Sequence, residues 1–413
     1  MRYFLVAILV FLSFFPAASQ EGPSVYSLIG VGDIQRGMGV RSAGMGYTGI
    51  GFPTGNSIPA LVPAAWAKTT RTQIEGSYLF ERFGSKDISL YTARSRDQFN
   101  GAALSFPLSP ERGLTLALGF VPYSNVGYDI TTNDSQLGID YKVRNTGDGG
   151  ITTGFAGGSF KPVDELAIGF AFDLYFGTIN EGRSFSPLND TLGSGSVNRD
   201  ITLRGPGVTI GAMLTSLGMV HESLAPFSLG FTLSSRAKLS TTSRTTFDFV
   251  QERDTTLEVD GAISLPISFG AGIGYKPDER YQLAVDYAAQ LWGDADLPGL
   301  RQTELRDSYR FSVGAERAGK RDVFASWFDK LTYRLGAYYE ATNYFTNGLG
   351  IDQWGITGGL GINLGNENRI DVALEYAQRG TLQNNLVKDN ILRLSVAVNI
   401  GELWFVRYDP EDE

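Results

Sequence analysis

The sequence predicts an all-β chain: a transmembrane antiparallel β-barrel of about fourteen strands with an N-terminal hatch or plug. Three observations carry that expectation. The first is a period of two. In "LAIGFAFDLYFG", residues 166–177, Leu166, Ile168, Phe170, Phe172, Leu174 and Phe176 share one face, with Ala167, Gly169, Ala171, Asp173, Tyr175 and Gly177 on the other. Successive strand side chains point to opposite faces, so this is a strand pattern. The second is the composition of the opposite face: Gly, Ala, Ser and Thr with isolated charges, namely Asp173, Asp286, Arg310, Glu316, Arg334, Glu340, Asp371, Glu375 and Arg393. Small residues and scattered charges suit a barrel interior, which leaves the apolar face for lipid; the alternative is a soluble sandwich or secreted adhesin. The third is the spacing of the links, short and polar on one side ("LSPER" 108–112, "VDE" 163–165, "PDER" 277–280, "NEN" 366–368) and long on the other (81–97, 124–149, 180–199, 238–262, 293–307). Outer-membrane barrels show that asymmetry.

In chain order, residues 1–19 read as a signal peptide, with Arg2, an apolar run from Tyr3 to Phe15, and small residues at Ala17, Ala18 and Ser19. Residues 20–70 form the hatch segment, rich in Gly and Pro and ending in an apolar run from Ile58 to Trp66. A disordered leader is the other reading. Residues 71–401 form the barrel, with strands near 71–80, 98–107, 113–123, 150–161, 165–179, 200–215, 226–237, 263–276, 281–292, 308–317, 331–343, 354–365, 369–379 and 390–400. A rival strand at 86–95 would break the even count. The link 318–330 is the one long connection on the short side. Aromatics at Tyr175, Phe176, Tyr287, Trp292, Tyr338, Tyr339, Trp354 and Tyr376 fall near strand ends, as interfacial girdles do. Residues 402–413 are an acidic periplasmic tail, entered through Trp404 and Phe405.

Composition excludes several functions. Among 413 residues there is no cysteine, and the net charge is −9 with no run of Lys or Arg, which argues against disulfides, thiolate metal sites and nucleic-acid binding. The single histidine, His221, sits beside Glu222 and Ser223. Sequence neighbours do not by themselves make a Ser-His-acid site, and one histidine makes a transition-metal site improbable. "GAERAGKR" at 314–321 nearly matches a phosphate loop, but Arg321 replaces its Ser or Thr and a strand ends there. The expectation is no enzyme, no metal and no cofactor.

"SAGMGYTGIGFPTGNSIPALVPAAWAK" and "LALGFVPYSNVGY" resemble the FadL-type outer-membrane transporters of hydrophobic compounds. The resemblance implies a fourteen-stranded barrel with a hatch, in the outer membrane of a Gram-negative-type bacterium. The family's Asn-Pro-Ala motif is altered here, since Val62 precedes Pro63 and Ala64. Hatch contacts to ligand would then fall at Ile58, Pro59, Leu61, Val62, Pro63 and Trp66. A lateral opening in the third strand would fall at Gly119, Phe120, Pro122 and Tyr123, where Pro122 has no N–H for a ladder. Capture of ligand would begin at Phe185, Leu188, Phe247 and Phe249, near Leu192 and Val250. The implied function is passive passage of a hydrophobic small molecule, long-chain fatty acid-like or aromatic, through lumen, hatch and wall. The implied partners are that ligand, outer-membrane lipids and the barrel-assembly machinery during biogenesis. Two alternatives stay open: a non-transporting barrel subunit with a secretion-system or surface-assembly partner, and a water-filled porin.

Overall fold

The computed structural model describes residues 24–402, apart from positions 37, 38, 53, 54, 56, 89, 137–138, 189–192, 250–251, 301–304, 321, 323 and 365–367. The signal segment 1–19, Trp404, Phe405, Leu192 and Val250 lie outside the described residues.

A closed barrel of 14 antiparallel strands forms the wall. In chain order they are β1 Thr72–Lys86, β2 Tyr91–Ser109, β3 Leu114–Gln136, β4 Ile139–Val163, β5 Leu166–Pro187 and β6 Gly195–Leu214. Then come β7, Phe227–Ser234 resumed at Ala237–Phe249, and β8, Glu252–Leu265 resumed at Ser268–Tyr275. The rest are β9 Tyr281–Gln290, β10 Ser308–Arg317, β11 Thr332–Thr346, β12 Leu349–Asn363, β13 Arg369–Gly380 and β14 Lys388–Glu402. β8 breaks at Pro266, which has no N–H to give its neighbour, and β7 breaks opposite it. β14 pairs with β1 from Lys388 opposite Lys86 to Glu402 opposite Thr72, which closes the ring. Every strand then has a neighbour on both sides over at least part of its length, as a wall in hydrocarbon requires.

Alternation sorts the two faces. On β5, Ile168, Phe170, Phe172 and Phe176 are exposed on the outside, while Ala167, Ala171, Asp173 and Tyr175 are buried in the lumen. Asp173 is accommodated there by the Thr209 hydroxyl, which donates to it at 2.6 Å. Register lines up two outward rows: the aromatics Tyr287, Phe311, Tyr339 and Trp354 toward the loop end, and Tyr281 and Tyr333 flanking Arg317 toward the turn end. These bound the apolar band, as interfacial girdles do. Three of the expected girdle aromatics face the other way, because Tyr175, Trp292 and Tyr338 are buried in the interior.

The expected long links are mostly strand. β3 and β4 stay paired as far as Gln136 opposite Ile139, and β7 and β8 as far as Phe249 opposite Glu252. The rival strand at 86–95 is the end of β1 and the start of β2. Apolar alternation stops where lipid stops, but backbone pairing does not. Thr-rich stretches such as residues 241–246 sustain it with both faces polar.

The described residues between 24 and 70 lie inside the ring, touching strands on every side. A two-residue strand, Asp33–Ile34, pairs antiparallel with Asn125 and Ser124 of β3. Helix α1, Gly39–Ala43, follows, and a 3-10 turn at Pro63–Lys68 leads into the wall. The seat is a belt of lumen-facing glycines. A Cβ at Gly169, Gly230, Gly272, Gly314 or Gly336 would come closer than 3.0 Å to backbone of Pro63, Ile50, Gly51, Met45 or Gly46.

Candidate functional site

Two features of the interior bear on function: the packed lumen and a seam in the wall. The lumen divides into an apolar and an ionic half. Beside β3 to β8, Val31 packs with Tyr128, Ile151, Leu203, Leu239 and Trp292, and Leu297 and Leu300 from the 293–307 link close over them. Beside β9 to β14 and β1, the register sets opposite charges face to face. Arg96, Glu81, Arg393 and Glu375 are successive partners across β2, β1, β14 and β13. Arg393 bonds Glu81 at 2.6 Å and Glu375 at 2.7 Å, and Arg96 also bonds Glu81. Arg334 bridges Glu316 at 2.6 Å and Asp371 at 2.7 Å. Cross-strand pairs of this kind support a sheet, and buried charges persist only when so paired.

The N-terminal segment is wired into that network. Arg41 of α1 bonds Glu316 at 3.0 Å, and Arg36 bonds Glu340 at 2.7 Å. The backbone N–H groups of Gly49 and Ile50 donate to Asp286 at 2.6 and 2.8 Å, with that of Gly51 at 3.3 Å. Ile58 N–H donates to Glu75 at 3.1 Å. Asp33 accepts from Arg379 at 2.6 Å and from the Tyr344 hydroxyl at 2.6 Å. Burial pushes the Asp33 carboxyl up, but the Arg379 guanidinium and the Tyr344 hydroxyl outweigh burial and hold it below 3.8. A depressed carboxylate stabilises the fold above its unfolded pKa, and that contribution is lost as pH falls through the folded value. Asp33→Asn is therefore expected to lower the urea midpoint at pH 7 and to match the parent once the pH lies below the folded pKa. An equal deficit at both pH values would assign the loss to packing.

The expected ligand contacts of the segment are packed against the wall. Ile58, Val62 and Trp66 are buried, as are Pro59 and Pro63, and Leu61 is half-buried. The Trp66 indole stacks on Phe155 at 5.8 Å and donates to the Pro59 carbonyl at 3.0 Å. Among the described residues, small voids border the segment. One, of about 60 Å³, lies among Asp33, Arg36, Tyr47, Glu340, Tyr344 and Arg379. Another, of about 80 Å³, lies among Arg36, Ile50, Leu61, Phe269, Arg310 and Glu340. A cavity that holds benzene measures about 150 Å³ and is apolar.

The seam lies between β2 and β3. Their ladder runs from Ser109 opposite Leu114 to Ala102 opposite Phe120 and stops. Beyond it β2 pairs with β1, and β3 with β4 across a bulge at Pro122 to Ser124. Pro122 stands where the ladder ends. Gly101, at φ +112°, takes a conformation that favours glycine. Gly119 leaves room for the Phe155 ring that carries Trp66. On the lipid side Phe120 meets Phe99 at 5.7 Å, and inside Tyr123 meets Tyr175 edge-on at 5.2 Å. The parted strands are laced by side chains: Asn125 donates to Gln98 at 2.7 Å, and Arg94 to the Asp129 carbonyl at 2.7 Å. The Asp33–Ile34 strand covers the free edge of β3 from within.

The structure brings the segment residues and the seam residues together, but places the expected capture residues elsewhere. Phe185 and Phe249 both lie opposite Gly195 near the hairpin tips, Phe247 lies opposite Val197, and Leu188 just follows β5. The three phenylalanines lie on strands continued past the apolar band, with Leu188 directly after one of them. His221 caps the 3-10 turn Glu222–Leu224, its Nδ1 accepting from Ser223 N–H at 3.2 Å.

This is a FadL-type barrel in fold. CymD, described as a monoaromatic hydrocarbon channel, is 15% identical over 90% of this chain and 99% of its own, with a TM-score of 0.59. The toluene transporter TbuX of Ralstonia pickettii is 16% identical over 89% and 98%, with a TM-score of 0.60. A FadL homologue of Pseudomonas aeruginosa is 12% identical over 89% and 99%, with a TM-score of 0.62. The chain belongs to the BamG family, whose model matches residues 1–409. No curated protein matches it.

Proposed function

We propose that this protein is a sealed outer-membrane barrel that passes no solute and serves as a subunit of the machinery that assembles outer-membrane proteins. The observation that carries this reading is the filled lumen: a segment held by buried ion pairs and a glycine belt, beside voids of about 60 and 80 Å³. The BamG family points the same way, toward assembly machinery. In this role the wall and its links offer binding surface, and the interior gives rigidity. Depleting the protein should lower the folded amounts of other outer-membrane barrels before it alters uptake of any apolar compound. Undiminished barrel assembly after depletion would overturn the reading.

A second reading is passive transport of a hydrophobic compound, and the seam favours it. In that reading the segment acts as a hatch, Ile58, Leu61, Val62 and Trp66 meet the ligand, and the wall parts beside Gly119, Phe120, Pro122 and Tyr123. The structural neighbours named as hydrocarbon channels support it at the level of fold. It requires the segment to leave its seat and the wall to part at the seam, so locking the seam by a disulfide between Gln98→Cys and Asn125→Cys should abolish uptake. Uptake that survives the lock would count against it.

A further inference from the structure

The longest link at the turn end joins β10 to β11, and its described residues between 318 and 331 fold against the outside of the barrel. It carries a short helix, α2, Trp327–Lys330, capped by Ser326, whose side chain accepts from Asp329 N–H at 3.3 Å. Asp329 holds the guanidinium of Arg317 at 2.9 Å and faces the ammonium of Lys320 at 3.7 Å. The Tyr333 hydroxyl donates to the Phe328 carbonyl at 3.0 Å, and Arg317 lies over the Tyr333 ring at 5.6 Å. Arg317 and Tyr333 are cross-strand partners in the outward girdle row, so these bonds fix the depth of α2 at the membrane boundary. From that position the link shows water both of its phenylalanines, Phe324 95% exposed and Phe328 72%, with Trp327 between them at 48%.

We propose that this link is an interfacial anchor, and that Phe324 and Phe328 insert into the headgroup boundary of the periplasmic leaflet. Three features select lipid as the occupant. The patch is continuous with the lipid-facing wall through Tyr333. Aromatics beside Lys and Arg are the composition that such boundaries bind. Lys320 and Lys330 place positive charge where anionic headgroups lie. The anchor pins one sector of the rim at a set depth, under either reading of function.

The natural chain has no cysteine, so single labels are clean. Full-length Phe328→Cys and Phe324→Cys, each carrying an environment-sensitive fluorophore, are refolded into vesicles of phosphatidylethanolamine and phosphatidylglycerol. Glu279→Cys, in the polar turn between β8 and β9, is the water-exposed reference. Iodide should quench positions 324 and 328 about tenfold less than position 279, with strong quenching by lipids spin-labelled near the headgroup. Iodide access equal to that at 279 would overturn the proposal. Shielding that appears only in native membranes and not in lipid vesicles would also overturn it, by giving the site to a protein partner.

Discussion

Replacing Gly230 with leucine is expected to unseat the N-terminal segment while leaving the barrel closed. Gly230 faces the lumen on β7, and a Cβ there would collide with the Ile50 carbonyl, closer than 3.0 Å. The obstacle is backbone, held by the bonds from Gly49, Ile50 and Gly51 to Asp286 and by the Ser228 hydroxyl on the Gly51 carbonyl at 2.6 Å. Neither side can yield by a rotamer change, so the cost exceeds the ~1–3 kcal/mol of ordinary overpacking. The wall's own ladders do not involve the side chain at 230 and should persist. Hydrogen exchange read by mass spectrometry should show lost protection over residues 44–52 and retained protection over β7 and β8. Gly76→Leu is the control, since a Cβ at Gly76 meets nothing within 4 Å. Unchanged exchange in Gly230→Leu would mean that the glycine belt is not the seat.

Arg334→Met should be strongly destabilising. Its side chain is 0% exposed and serves two acids, Glu316 and Asp371. Removing one partner of a buried ion pair costs about 3–5 kcal/mol, because the other charge is stranded. Here Arg41 remains on Glu316 and Arg369 on Asp371, which places the loss toward the lower end of that range. The measurement is urea unfolding of the protein folded in detergent micelles, with Arg310→Met for comparison. Loss of Arg41 through Arg41→Met should then be more than additive with Arg334→Met, since only the double variant strands Glu316. Full additivity would separate α1 from the wall network.

Much of this architecture was legible in the chain. The alternation at 166–177 placed Phe170 and Phe172 on the lipid face and Asp173 inside because a period of two admits no other sorting. The ends of strands were less legible. Membrane-spanning stretches announce themselves by apolar alternation, whereas continuations such as residues 241–246 are polar on both sides and are held by main-chain pairing with a few cross-strand side-chain bonds, Thr242 to Asp260 and Arg244 to Glu258 among them. The aromatics Tyr175, Trp292 and Tyr338 were misassigned to girdles because an aromatic near a strand end looks the same whether it faces lipid or a packed lumen. Glu316 and Glu340 stood out as charges on a small-residue face, yet their partners Arg41 and Arg36 did not, nor did Asp33, the partner of Arg379. Those lie more than two hundred residues away in sequence, in a segment without periodicity. The glycines at 169, 230 and 272 read as interior filler, although each marks where another backbone lies. One signal was available: acids opposite bases once strands are set in register, as with Glu81 and Arg393.

The sealed lumen is tested most directly by native mass spectrometry of the full-length protein released in mild detergent from its own membranes, with Trp66→Ala and Gly230→Leu beside it. A sealed, non-transporting barrel gives the mass of the mature chain, alone or with a protein partner, and no apolar small molecule in any of the three samples. A stoichiometric hydrophobic ligand on the parent, lost in Trp66→Ala, would contradict it and make the protein a carrier.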